Sequence, residues 1–184
     1  MEQLNATAYV ILGMVRMGPR SGYEIKALVD NSTRFFWAAS YGQIYPELKR
    51  LSEAGLIVGS DSPTGGRRRI VYEITEDGEE ELRTWLRQPP RTFEMRDEGL
   101  LKLFFAEALP REEAVEILLA MRAQRLAVNE RLRAIKDLKL KGDPDDSFPL
   151  VVLEGGLEFT EWFVDWCERM EARILDSAPE KRSS

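Results

Sequence analysis

Three helical stripes, two strand-like segments joined by a basic turn, and a proline-bearing break followed only by further helical stripes predict a mainly α protein. That order is the order of a winged helix-turn-helix N-terminal domain with a two-stranded β-hairpin wing, here followed by an all-helical C-terminal dimerisation domain. Gln88-Pro89-Pro90-Arg91-Thr92 supplies the break, so the expected division is 1–88 and 89–184.

Each element has a local reason. Asn5 caps a first helix that reaches Met17 and spaces Tyr9, Leu12 and Val15 along one face. Gly18-Pro19-Arg20-Ser21-Gly22 breaks it, and Ser21 caps a second helix carrying Tyr23, Ile25, Leu28 and Val29, which fades near Asn31-Ser32-Thr33. Phe35-Phe36-Trp37 is an apolar run expected to fold back on the core. Ser40 caps a third helix that reaches Ala54 and stops at Gly55, where a left-handed backbone costs glycine little. Pro46 fits inside it if the helix proper starts near Gly42 or Gln43, because the first-turn amides lack intrahelical partners. Leu56 to Ser60 and Ile70 to Thr75 read as strands, and Thr75-Glu76-Asp77 opens a fourth helix to Gln88 with Leu82, Trp85 and Leu86 on its apolar side.

Beyond the break only helices are expected: a short one near Asp97 to Ala108, a long one near Pro110 to Leu138 and another near Leu150 to Ser177, with Gly142 to Pro149 as a loop. In the last helix Gly156, Phe159, Phe163, Trp166, Met170 and Ile174 recur every three or four residues, the stripe of a helix that packs against another helix.

Composition narrows the function. Apolar residues at 43% and charged residues at 32% are ordinary for a globular protein, and no apolar run approaches the roughly 18–20 residues that span a bilayer. The N-terminus lacks the basic and apolar regions of a secretory signal and Cys167 is the single cysteine, so a reducing cytoplasm is the expected location. The absence of histidine removes most zinc sites and every imidazole-dependent nucleophile, which argues against an enzyme and against a metal or other cofactor. The net charge of −6 is unlike a DNA binder, but it is unevenly spread: Arg16 to Arg69 holds nine basic against five acidic residues, a local net of +4.

That basic segment contains the two elements suited to duplex DNA. On the third helix Ser40, Tyr41, Gln43, Tyr45 and Lys49 face outward while Ile44, Leu48 and Leu51 face the core. Gln and Lys suit base edges and phosphates, and the hydroxyls suit phosphate oxygens. The hairpin turn Thr64-Gly65-Gly66-Arg67-Arg68-Arg69 sets three guanidiniums side by side, an arrangement that repels itself unless an anion is near. A phosphate loop is excluded, because Gly65-Gly66 lacks the Gly-Lys-Ser/Thr ending and precedes a strand.

Gly22-Tyr23-Glu24-Ile25, the run Gly42 to Leu51, Glu53-Ala54-Gly55-Leu56-Ile57, Gly66-Arg67 and Tyr72-Glu73-Ile74-Thr75-Glu76-Asp77-Gly78 together resemble the DNA-binding domain of the PadR family of transcriptional regulators over most of residues 5 to 88. The helical remainder resembles the longer C-terminal region of one branch of that family, more loosely. The resemblance implies a homodimer whose C-terminal helices swap across a two-fold axis, with DNA affinity relieved by a small-molecule effector; two recognition helices about 34 Å apart would then match a palindromic operator in double-stranded DNA, with repression by occlusion of a promoter. It also implies that Tyr41, Gln43, Tyr45 and Lys49 lie on the recognition helix and that Arg67, Arg68 and Arg69 lie on the wing.

Phe104, Phe105, Phe159, Trp162, Phe163 and Trp166 offer stacking surfaces for a planar aromatic effector, although rings at helical spacing also serve as core or dimer interface. Cys167 is read as inert packing. The alternative to operator binding is a winged-helix module that binds another protein; an enzyme ranks behind both, since no carboxylate pairs with a nucleophile, metal cluster or phosphate loop.

Overall fold

In the computed structural model, residues 4–18, 20–62, 69–90, 95–139 and 147–176 are described. Arg67 and Arg68, and most of the expected loop from Gly142, lie outside the described residues. The chain divides into two compact units, Met1–Thr92 and Phe93–Ser184.

In the first unit the elements run α1 (Ala6–Arg16), β1 (Arg20–Ser21), α2 (Gly22–Asp30), a 3-10 turn (Thr33–Phe35), α3 (Tyr41–Glu53), β2 (Ile57–Asp61), β3 (Ile70–Ile74) and α4 (Glu76–Leu86). Short polar side chains start the helices. Asn5 Oδ1 accepts from Ala8 N–H at 3.0 Å, and Thr75 Oγ1 accepts from Gly78 N–H at 3.1 Å while donating to the Gly55 carbonyl at 2.7 Å. Gly55 sits at φ 74°, the left-handed conformation that ends α3 and turns the chain into β2. Ala8, Ile11, Leu12 and Val15 of α1 pack with Ile25 and Val29 of α2, Ile44, Leu48 and Leu51 of α3, Ile57 of β2 and Leu82 of α4, all buried.

The structure departs from the sequence reading at four places here. The sheet has three strands, ordered β1-β3-β2 and antiparallel throughout, because Arg20 and Ser21 pair with Tyr72 and Val71. Helix α3 starts at Tyr41, so Pro46 falls in its second turn, where it removes the N–H that the Gly42 carbonyl would accept. Phe36 and Trp37 do not fold into the core; they stay 63% and 42% exposed. Trp85 and Leu86 also leave the core, and the Trp85 indole stacks on the Tyr9 ring at 4.5 Å between centroids and 7° between planes.

The second unit comprises α5 (Glu98–Phe104), a 3-10 turn (Ala106–Ala108), α6 (Arg111–Lys139) and α7 (Phe148–Asp176). Pro149, expected in a loop, occupies the first turn of α7, where a missing N–H costs nothing. Helices α6 and α7 run antiparallel. Arg122 pairs with Glu171 at 3.2 Å, Arg133 with Glu161 at 2.8 Å and Lys136 with Glu154 at 2.7 Å, so rising numbers on α6 meet falling numbers on α7. Between them Asn129 Nδ2 donates to Thr160 Oγ1 at 2.8 Å, and Thr160 Oγ1 donates to the Leu157 carbonyl at 2.8 Å. The buried face of α7 is Leu150, Leu153, Leu157, Thr160, Phe163 and Cys167. It shares Phe163 with the stripe read from sequence, while Phe159 lies outside it, 42% exposed. Among the described residues no helix is long and apolar enough to cross a membrane.

Candidate nucleic-acid interface

Helix α3 is an outward-polar helix held from behind. Ile44, Leu48 and Leu51 are fully buried, which fixes the opposite face as the exposed one. At its start Ser40 N–H and Ser40 Oγ–H donate to Gln43 Oε1 at 2.9 and 3.1 Å, so the Gln43 carbonyl is engaged in capping and its amide nitrogen remains as a donor. A donor at that point suits the acceptor edge of guanine, N7 and O6. Tyr41 and Tyr45, 44% and 51% exposed, lie one turn apart with ring centroids at 6.1 Å and planes 20° from parallel. Lys49 meets Glu53 at 3.7 Å, but both side chains are largely in solvent, so a phosphate displaces that contact at little cost.

Behind this face Glu47 is buried and collects three donors. Asn5 Nδ2 reaches one carboxylate oxygen at 3.1 Å, and Arg50 Nε and Nη2 reach the other at 2.9 and 2.7 Å. This ties α3 to the residue that caps α1.

The first turn of α2 joins the exposed face of α3 to the hairpin. A Cβ on Gly22 would lie 2.7 Å from Tyr45 Cε1 and 3.2 Å from Leu48 Cδ1, so only glycine lets α2 and α3 approach this closely. Immediately before it, Ser21 pairs with Val71 of β3. Glu24 completes the junction: one carboxylate oxygen accepts from Ser21 N–H and Ser21 Oγ–H, each at 2.9 Å, and pairs with the Arg69 guanidinium where the chain enters β3 from the hairpin turn. The hydrogen bond from Arg69, then that from the Ser21 backbone, hold the Glu24 carboxyl far below the usual carboxylate range, at about 2. Across the same junction the Tyr72 phenol is pushed up by burial and by the neighbouring Tyr45 phenol. The helix face and the turn-side end of β3 therefore rest on one and the same turn.

Of the residues expected to meet DNA, the structure brings Ser40, Tyr41, Gln43, Tyr45 and Lys49 onto the exposed side of α3. Arg69 is placed at the turn end of the hairpin, just before β3, engaged by Glu24, and its backbone carbonyl accepts from Ser62 N–H at 2.8 Å. Lys26 of α2, which pairs with Asp30, borders this face and holds its ammonium 5.5 Å over the Tyr41 ring, a neighbour that no spacing within α3 signals.

The aromatic residues considered for an effector divide. Phe159, Trp162, Phe163 and Trp166 form a continuous ladder along α7, with centroids 5.4–6.1 Å apart, in which Phe163 is core and Trp162 is 54% exposed. Arg125 lies 4.5 Å over the Phe163 ring and pairs with Asp97 at 2.6 Å. Phe104 and Phe105, both well exposed, pair edge-to-face with each other at 5.0 Å. A cavity of about 790 Å³ lies elsewhere, in the first unit, against the Tyr9–Trp85 stack, with Phe36, Trp37, Met14 and Leu86 in its wall and Thr33 and Gln88 as its polar groups. Cys167 is buried, and burial pushes its thiol up, away from the reactive thiolate.

With this geometry in hand, similarity to known proteins decides the family. The chain is 33% identical to the negative transcriptional regulator PadR of Bacillus subtilis over 175 residues, covering 90% of this chain and 96% of that one. The chain belongs to the PadR family of transcriptional regulators. Residues 11–84 match the profile of the transcriptional regulator PadR-like family, and residues 95–174 match that of the virulence activator alpha C-terminal region. The crystal structure of Bacillus subtilis PadR in complex with operator DNA superposes with a TM-score of 0.82 at 31% identity, covering 92% of this chain and 99% of that chain. The same regulator in complex with p-coumaric acid gives 0.76 at 30% identity, covering 95% and 100%. The PadR-type winged helix and helical C-terminal region expected from the sequence are thus the observed fold.

Proposed function

We propose that this PadR-family regulator acts in the cytoplasm as a homodimeric repressor that binds a palindromic operator and performs no catalysis. One observation carries the reading: the exposed polar face of α3 and the turn-side end of the hairpin strand β3 are both seated on the first turn of α2, which fixes the one against the other. In this arrangement α3 enters the major groove, with Tyr41, Gln43, Tyr45 and Lys49 toward bases and phosphates and Ser40 at the backbone, while Arg67 and Arg68 are proposed to meet phosphates. The operator complex of the Bacillus subtilis relative supports this reading. Pairing of two chains is supported by the apolar residues that α6 and α7 leave exposed, Leu126, Leu138, Val151, Val152 and Trp162. The ladder on α7 serves that seam.

Relief by a small planar aromatic molecule is the second half of the proposal. The p-coumaric acid complex of the relative supports it, and so does the Tyr9–Trp85 cavity, whose volume and aromatic wall suit such a ligand. A mobility-shift titration with DNA from upstream of its own gene, with and without p-coumaric acid, tests both halves. A competitor-resistant complex that p-coumaric acid releases, and that Trp85→Ala renders insensitive, supports them. Absence of any such complex contradicts operator binding and favours a protein-binding module; release unchanged in Trp85→Ala places the effector elsewhere.

A further inference from the structure

We infer that Glu24 is a positioning residue that withholds Arg69 from DNA phosphate and uses it to lock the hairpin onto α2. The inference rests on the operator-binding reading above. Three independent contacts converge on the carboxylate: the cap hydrogen bonds from Ser21 N–H and Ser21 Oγ–H, and the ion pair with Arg69. Ser21 is at the same time the β1 residue that pairs with Val71 of β3, two residues after Arg69 in the chain. The carboxylate therefore closes a small ring that runs from the cap of α2 through β1 and β3 to Arg69 and back. Its unusually acidic carboxyl reports how strongly those donors hold it.

The consequence is electrostatic. An arginine triplet on a free hairpin attracts any duplex, because phosphate neutralisation with counterion release is blind to sequence. An arginine whose charge is already matched by a fixed carboxylate releases no counterion unless it abandons that partner. Glu24 thus lowers affinity for non-cognate DNA while fixing the wing relative to Tyr45, which raises the specificity ratio.

The test is the slope of log Kobs against log salt for full-length protein on a short duplex of mixed sequence, which needs no knowledge of the operator. Glu24→Gln keeps a residue able to complete the capping box but frees the guanidinium, so the slope should steepen by about 0.9, the value for one added phosphate contact. The neutral pair Glu24→Gln with Arg69→Gln should restore the wild-type slope. A purely structural role for Glu24 would lower the melting temperature and leave the slope of Glu24→Gln at the wild-type value, which overturns the inference. A double variant with a slope shallower than wild type by about 0.9 also overturns it, because Arg69 then already contacts phosphate in the native complex. If Glu24→Gln does not fold, the double variant alone decides. A wild-type chain with no salt-dependent complex at all sinks the operator-binding reading itself, an outcome distinct from both.

Discussion

Gly22→Ala probes the junction on which the DNA-binding reading depends. The added Cβ would stand 2.7 Å from Tyr45 Cε1, about 1 Å inside the optimum for two carbons, and 3.2 Å from Leu48 Cδ1. Leu48 is locked in the core and yields only tenths of an ångström, whereas Tyr45 is half exposed and can swing outward. The ring therefore leaves its seat on α2. Overpacking of this kind costs about 1–3 kcal/mol, offset by at most about 1 kcal/mol from the better helix propensity of alanine. The net loss of about 1 kcal/mol corresponds to a fall of roughly 4–8 °C in melting temperature for a domain of this size. Operator affinity should suffer more in proportion, by about ten-fold, since a displaced Tyr45 loses its register on the duplex. Fluorescence anisotropy with an upstream-DNA duplex, beside a thermal melt, measures both. In a Tyr45→Ala background Gly22→Ala should cost almost no further affinity; fully additive losses would refute the argument that the glycine acts through that ring.

Other contacts make equally definite predictions. Glu47→Ala strips the buried acceptor from Asn5 and Arg50 and should destabilise the first unit by about 1–3 kcal/mol in urea unfolding, whereas Lys49→Ala on the exposed face of the same helix should cost less than about 0.5 kcal/mol while weakening DNA binding. Asn129→Ala leaves the buried Thr160 hydroxyl without its donor and should cost about 1–3 kcal/mol, while Asn129→Leu with Thr160→Val should recover most of that loss at the price of a less certain α6/α7 register. The Glu24 carboxyl has a folded pKa lowered to about 2 from an ordinary 4.5, so its stabilisation is complete above pH 4.5 and is lost as pH falls through about 2. Acid titration followed by circular dichroism should show Glu24→Gln differing from wild type above that window and converging with it below.

The parts legible in the sequence were those with local causes. Asn5, Ser21, Ser40 and Thr75 each start a helix because a short polar side chain next to an apolar stripe is a nearest-neighbour signal, and Gly55 ends α3 for the same kind of reason. What escaped was long-range. Arg20–Ser21 is too short to show a strand period, and its partners Tyr72 and Val71 lie half a domain away in sequence. The Glu24–Arg69 pair likewise has no spacing rule, although the wing arginines themselves were evident. On α7 the rings at 159, 162, 163 and 166 populate two adjacent stripes, so periodicity alone could not say which faces α6; the Asn129–Thr160 bond and Cys167 settle it. Trp85 was assigned to the core with Leu82, yet it emerges beyond the edge of the core and stacks on Tyr9.

Hydroxyl-radical footprinting of the protein on its upstream DNA shows whether paired α3 helices dock on the duplex. Two recognition helices presented by a dimer should protect two segments of the duplex centred one helical turn, or a whole number of turns, apart, about 34–36 Å per turn, and Tyr45→Ala should erase both together. A single unbroken protected tract, or two segments separated by a half-integral number of turns, would contradict a pair of α3 helices docked in major grooves on one face of the DNA.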